Sequence, residues 1–368
     1  MKCGYNTSDP IEADLPVEAP MEAIRLRPRM FLGGTGSRGL HQLLFELVND
    51  ALGPLSGDPA GVVRVALDAD GFVEISDDCS PPLNVEAVFS RMSGLHAADS
   101  RSVACALSEE LTARARRSGA VPQCTFRRGQ LHAETQFGGP PDDCGLTVRF
   151  RPDPAIFGAA RFDPDIIRNR LQQCAFLNSG VRIAFADESS GTEDVFEYPD
   201  GIADYVKWLN TNRTPVHAEV IAFDGEAGGV RYEVGLQWCA DADALPVSFA
   251  NGYCTRLGGT HTTGVRAAVK DVVRTLLCEI APGEKVERDD ALGGLTAVVS
   301  VCLADPLFTG ETRDQIVNLE VERIIRAEVG LALGDFFEMN CEVADAIVRR
   351  VLATRNAREA LHAARKQK

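Results

Sequence analysis

The chain has 368 residues, 45% of them hydrophobic, which is enough to bury two ordinary domain cores. Its 53 acidic residues outnumber 38 basic ones, and the formal net charge of −15 repels a polyanion, so direct nucleic-acid binding is not expected. Eleven cysteines, an odd number with no CxxC pair, argue against a zinc site and against a secreted disulfide framework. No apolar run reaches membrane-spanning length and the start lacks a signal-like apolar core, so the sequence reads as a cytoplasmic protein without membrane contact.

An N-terminal arm over residues 1–20 is polar and contains prolines. The spacing of Leu40, Leu43, Leu44, Leu47, Val48 and Ala51 predicts an amphipathic helix. Glu46, Asn49 and Asp50 lie off its apolar stripe, and Gly53-Pro54 ends it early. "VVRVALDADGFVEISDD" predicts a hairpin around Asp70-Gly71, with Val73, Ile75 and Asp77 on one face. A carboxylate ending an inward-facing row is either a ligand group or a residue that caps the strand-end turn.

"VEAVFSRM" and "RSVACALSEELTARARRS" read as helices, "QCTFRRGQLHAETQF" as a hairpin and "GLTVRFRPD" as a strand. A helix over 163–177 and a strand at "GVRIAFAD" follow. Beyond Pro215, the strands "AEVIAF", "VRYEVGLQW" and "LTAVVSVCL" alternate with helices at "HTTGVRAAVKDVVRTLL" and "NLEVERIIRAEVGLALGDFF". A long helix with a basic last turn closes the chain. Two α+β domains are expected, over residues 21–214 and 215–368.

"PMEAIRLRPRMFLGGTGSRGLHQLLFELVNDAL", "ISDD", "GLTVRF", "FLNSG", "LNTNRTPVH", "GGTHTTGVRAA", "GGLTAVVSVCLADPLF" and "VERII" occur in an order and spacing that resemble DNA gyrase B and its topoisomerase IV counterpart. The resemblance implies a Bergerat (GHKL) ATPase-like α/β sandwich over 21–214. A ribosomal-protein-S5-like transducer domain is implied over 215–368. No metal-binding TOPRIM segment is seen, so this chain alone is not expected to cleave DNA.

By the same resemblance, Glu46 corresponds to the glutamate that polarises the attacking water and Asp77 to the aspartate that accepts the adenine amino group. The family's helix reads Asp-Asn where this chain reads Asn49-Asp50, which puts a carboxylate in place of the magnesium-binding amide. The glycine-rich turn after the strand aspartate is replaced by Asp78, Cys79, Ser80, Pro81, Pro82 and Leu83, which supply neither close backbone approach nor the same amide donors. The long lid and its phosphate loop are reduced. Gly94-Leu95-His96-Ala97 corresponds either to that loop or to the stretch preceding the lid, and both alignments remove the anion cradle. Leu146 replaces the family's adenine-side threonine, with Thr147 keeping a hydroxyl nearby. Glu311-Thr312-Arg313 replaces a Gln-Thr-Lys loop whose lysine reaches the γ-phosphate.

Little or no ATP hydrolysis is expected, and no cofactor or metal. A cleft walled by Cys79, Pro82, Leu83 and Leu146, with Asn49, His96, Arg117 and Thr147 around carboxylates Glu46, Asp50 and Asp77, suits a small hydrophobic ligand or substrate. A cofactor-free natural-product cyclase, for example for an intramolecular [4+2] cycloaddition of the Diels–Alder type, would use shape and one carboxyl group held protonated by an apolar pocket. The alternatives are a decoy or self-resistance protein that binds gyrase inhibitors or pairs with gyrase B, a residual ATP-binding pseudo-ATPase, and a decayed paralogue with a filled cleft. The family dimerises through its N-terminal arm, so a homodimer is a further expectation.

Overall fold

The computed structural model describes residues 20–55, 61–78, 80, 84–90, 100–116, 119, 121–139, 144–240, 246–310 and 312–366. In chain order it begins with α1 (Pro20–Leu26), α2 (Arg29–Leu32), α3 (Ser37–Leu52), β1 (Val62–Leu67), β2 (Val73–Asp77) and α4 (Val85–Ser90). There follow α5 (Ser100–Leu107), β3 (Ser108–Arg116), β4 (Val121–Arg127), β5 (Gln130–Phe137), β6 (Gly145–Pro152), α6 (Pro154–Phe157) and α7 (Pro164–Leu177). The remainder is β7 (Arg182–Asp187), β8 (Thr192–Phe196), α8 (Ile202–Leu209), β9 (Ile221–Ala227), β10 (Val230–Trp238), β11 (Val247–Ala250), β12 (Tyr253–Cys254), α9 (Thr260–Ile280), β13 (Leu295–Leu303), α10 (Leu319–Met339) and α11 (Cys341–Lys366). An eight-stranded sheet has the order β5-β4-β3-β6-β2-β1-β7-β8, and a five-stranded sheet the order β12-β11-β13-β10-β9. The α+β class expected from the sequence is the class observed. No helix among the described residues is long and apolar enough to cross a membrane.

Two compact units form, one of Met1–Asp50 with Leu67–Phe162 and the other of Ala51–Ala66 with Asp163–Lys368. In the first, the α3 stripe is buried as its period requires, Leu43, Leu44 and Val48 being wholly inaccessible. Helix α3 gives way to a 3₁₀ turn over Gly53–Leu55. Pro54 has no backbone N–H to extend the helix and disfavours helical geometry at Gly53 before it. In β2, Val73, Ile75 and Asp77 are all buried, as strand alternation demands.

One expected helix is a helix and a strand. Residues 100–107 form α5, but β3 starts at Ser108 with no intervening loop. The helix-favouring Glu, Ala and Arg residues of "SEELTARAR" are overridden by a period of two. Leu111, Ala113 and Ala115 bury on one face while β3 pairs with both β4 and β6. Sheet alternation likewise divides β6, with Leu146, Val148 and Phe150 on the buried face. Arg149 and Arg151 lie on the other face and stack on the Phe72 ring, at 3.8 and 4.6 Å from its centroid.

In the second unit, α7 starts where sequence signals place it. Asp163 accepts hydrogen bonds from the Asp165 and Ile166 amides, and Pro164 sits at the first turn. The apolar run of β13 is buried on both faces, which is why it does not alternate. Ala297, Val299 and Val301 join a core with α9 and α10, and Val298 joins a second core with Ile202, Tyr205 and Val206 of α8. Strands β8, β11 and β12 and helix α8 had no separate signal in the sequence reading. All are short, and short elements carry few periods.

Candidate functional site

Helix α3 carries the polar row built from Glu46, Asn49 and Asp50, all half-buried. Glu46 Oε1 accepts from Gln42 Nε2 at 2.7 Å, one turn earlier on the same helix. Asn49 Nδ2 is buried and meets no acceptor among the described residues. Asp50 is drawn to the start of α5, where Ser100 Oγ donates to Asp50 Oδ2. Arg101 Nε lies 3.7 Å from the same oxygen. A carboxylate at the N-terminal turn of α5 meets the positive end of that helix's dipole as well as the guanidinium.

The Asp77 carboxylate closes the turn after β2. Oδ1 accepts from the Ser80 amide at 2.6 Å and Oδ2 from Ser80 Oγ at 2.8 Å, in a site where Asp77 is 1% exposed. The reading of Asp77 as a strand-end cap therefore has direct geometric support. The Asp77 carbonyl accepts from Arg116 Nη2, and Arg116 Nη1 donates to Thr147 Oγ1. Leu146 faces the same buried side as Ile75 and Val148, whereas Thr147 pairs across the sheet with Ser76 and Arg114 on the other side. Its hydroxyl points away from the Leu146 side of the strand, where sequence reasoning had kept it as a neighbouring pocket group.

Cys79, Pro82, Leu83, His96 and Arg117 lie outside the described residues, as does Glu311. Four residues that sequence reasoning did not single out organise what is seen: Ser80, Ser100, Arg101 and Arg116. A serine three residues after a strand-end aspartate, and a serine opening the run "SRSVACAL", were the available signals for the first two. In the second unit, the Arg313 guanidinium is stacked on Tyr253 at 3.9 Å, and Thr312 Oγ1 donates to Asp314 Oδ2 at 2.6 Å.

The eight-stranded sheet, a first long helix that presents Glu46, Asn49 and Asp50, and a buried strand-end aspartate define an α+β fold of the gyrase B ATPase-domain type. The family model for DNA gyrase B matches residues 201–367. The DNA gyrase B protein of Haloferax lucentense is 34% identical over 92% of this chain and 58% of its own length. The 43K ATPase domain of Thermus thermophilus gyrase B, solved in complex with an aminocoumarin, superposes with a TM-score of 0.83 at 32% identity, over 95% of this chain and 98% of that one. The gyrase B protein from Myxococcus xanthus gives a TM-score of 0.77 at 26% identity, over 90% and 99%.

The chain belongs to the DNA gyrase B family. It spans 58% of the length of the Haloferax relative.

Proposed function

We propose that this chain is a gyrase-B-type ATPase and transducer region that does not turn over ATP, and that its former nucleotide cleft takes a small hydrophobic molecule. The observation that supports this most is Asp50. Where the family resemblance calls for a metal-binding amide facing a phosphate cradle, a carboxylate is tied to Ser100 and Arg101 at the start of α5. A fixed negative charge there opposes a triphosphate and uses the helix terminus that would otherwise bind one. Phosphoryl transfer depends on electrostatic stabilisation by metal, cation and backbone amides, so this exchange removes more than one element of it. A transducer-like domain over residues 215–368 belongs to this reading and is supported by strands β9 to β13, which all lie beyond residue 214.

Chemistry in the cleft, such as the cyclisation expected from the sequence, would run on Glu46, which accepts a hydrogen bond from Gln42 on its own helix, rather than on Asp50 and Asp77, which tie α3 to α5 and close the β2 turn. A second reading, capture of a gyrase inhibitor, draws support from the Thermus relative solved with an aminocoumarin and from Arg116 bracing Asp77. Phosphate release from magnesium ATP is the discriminating assay, run beside the Thermus 43K domain. The expected result is release no faster than buffer, and turnover comparable with the Thermus domain would overturn the proposal. Incubation with acyclic polyenes and with aminocoumarins then separates the two readings, conversion that disappears in Glu46→Gln marking the enzyme and binding without conversion the decoy.

A further inference from the structure

We propose a second site, separate from the α3 cleft, that binds a small anionic amphiphile with a carboxylate or phosphate head. A cleft of about 490 Å³ opens where the chain turns from α1 into α2 and meets α6. Its apolar lining includes Leu26, Pro28, Met30 and Ile156, and Leu26 and Met30 are 70% and 56% exposed. Arg27 and Arg29 flank Pro28 at its rim, both exposed. Neither side chain has a hydrogen bond or ion pair among the described residues.

A third arginine explains why the other two matter. Arg25 also lines the cleft, yet it is committed to the interior: Nη1 donates to the Ala106 carbonyl at 2.6 Å and Nη2 to Asp153 Oδ2 at 2.5 Å. Asp153 is wholly buried and also pairs with Arg128 at 3.2 Å. The ion pair of Arg25 is therefore internal scaffolding, whereas Arg27 and Arg29 present two guanidinium forks with no acidic partner among the described residues, beside an apolar floor. Such forks match carboxylate and phosphate oxygens, and the cleft volume is in the range of small-molecule sites. In a chain of net charge −15, an anion gains nothing from the long-range field, so affinity has to come from this local pair.

Decanoate is the probe, titrated calorimetrically into the whole chain, with decanol as the uncharged control. Saturable decanoate binding is expected, weakened about tenfold or more by Arg27→Gln/Arg29→Gln and by high salt, with decanol at least about tenfold weaker. Both arginines are solvent-exposed, so the double variant should keep its far-ultraviolet circular dichroism. Met30→Glu provides an independent variant, which should repel the ligand while leaving Arg27 and Arg29 in place. Glu46→Gln should leave decanoate affinity unchanged, which separates this site from the α3 cleft. Absence of saturable binding, equal affinity for decanol, or unchanged affinity in the double variant would overturn the proposal. So would a dimer that dissociates in the double variant, because it would give the cleft to a second copy of the chain.

Discussion

Gly145→Ala should destabilise the first unit by about 3–5 kcal/mol, combining an unfavourable backbone conformation with a clash that cannot relax. Gly145 has a φ of 118°, and a Cβ there would lie 2.1 Å from the Asp77 carbonyl oxygen and 2.6 Å from Arg116 Nη2. The first obstacle is backbone, so nothing nearby can rotate away. The close approach is what lets Arg116 reach the Asp77 carbonyl, the Cys144 carbonyl and Thr147 together. Urea unfolding of wild type and variant measures the effect, and a loss below about 1 kcal/mol would show that the β2 end and the β6 start are not held this tightly.

Stability of the second unit should fall by roughly 3 kcal/mol between neutral pH and pH 4, with His261 as the main source. His261 is 0% exposed near the start of α9, and burial pushes its pKa down to about 4. Its Nε2 lies 3.1 Å from Thr255 Oγ1, while Nδ1 has no partner among the described residues. In the folded chain the ring stays neutral down to about pH 4, whereas in the unfolded chain it takes up a proton near its ordinary value of 6.5. The stabilising contribution is therefore full above 6.5, and it is lost as pH falls toward the folded value.

His217 adds in the same direction, since burial lowers its pKa against the opposing hydrogen bond to the Glu219 carbonyl. Its tautomer is set by the partners: Nε2 accepts from the Trp238 amide at 3.1 Å, so the proton resides on Nδ1 and is donated to Glu219. Denaturant titrations at pH 7 and pH 4 on wild type and His261→Gln test the assignment. The variant should be less stable at pH 7 but lose much less on acidification. An equal loss in both proteins would remove His261 as the source.

Much of this architecture was legible because its signals were periodic. The α3 stripe and the β2 alternation each follow from one local rule, and packing agreed with it. The junction of α5 and β3 was not legible, because Glu, Ala and Arg favour a helix and only sheet pairing on both sides of β3 overrides them. Side-chain roles in the site were harder still. The sequence indicated that Asp77 would be buried, but whether it faced a ligand or its own turn depended on where the Ser80 hydroxyl went. The Asn49-Asp50 order was visible in the sequence. Pairing of Asp50 with Ser100 and Arg101 was not, because it joins residues fifty positions apart. Arg117 is the arginine expected around the cleft, while its neighbour Arg116 makes the contacts that are described.

Loss of nucleotide binding in the α3 cleft is the central claim. Calorimetric titration of a non-hydrolysable ATP analogue with magnesium tests it most directly, with the Thermus gyrase B 43K domain as the binding control. With Asp50 held at the start of α5 by Ser100 and Arg101, the predicted result is no saturable heat for this chain under conditions where the control binds. Saturable micromolar binding would contradict that claim and make the chain a nucleotide-binding member of its family.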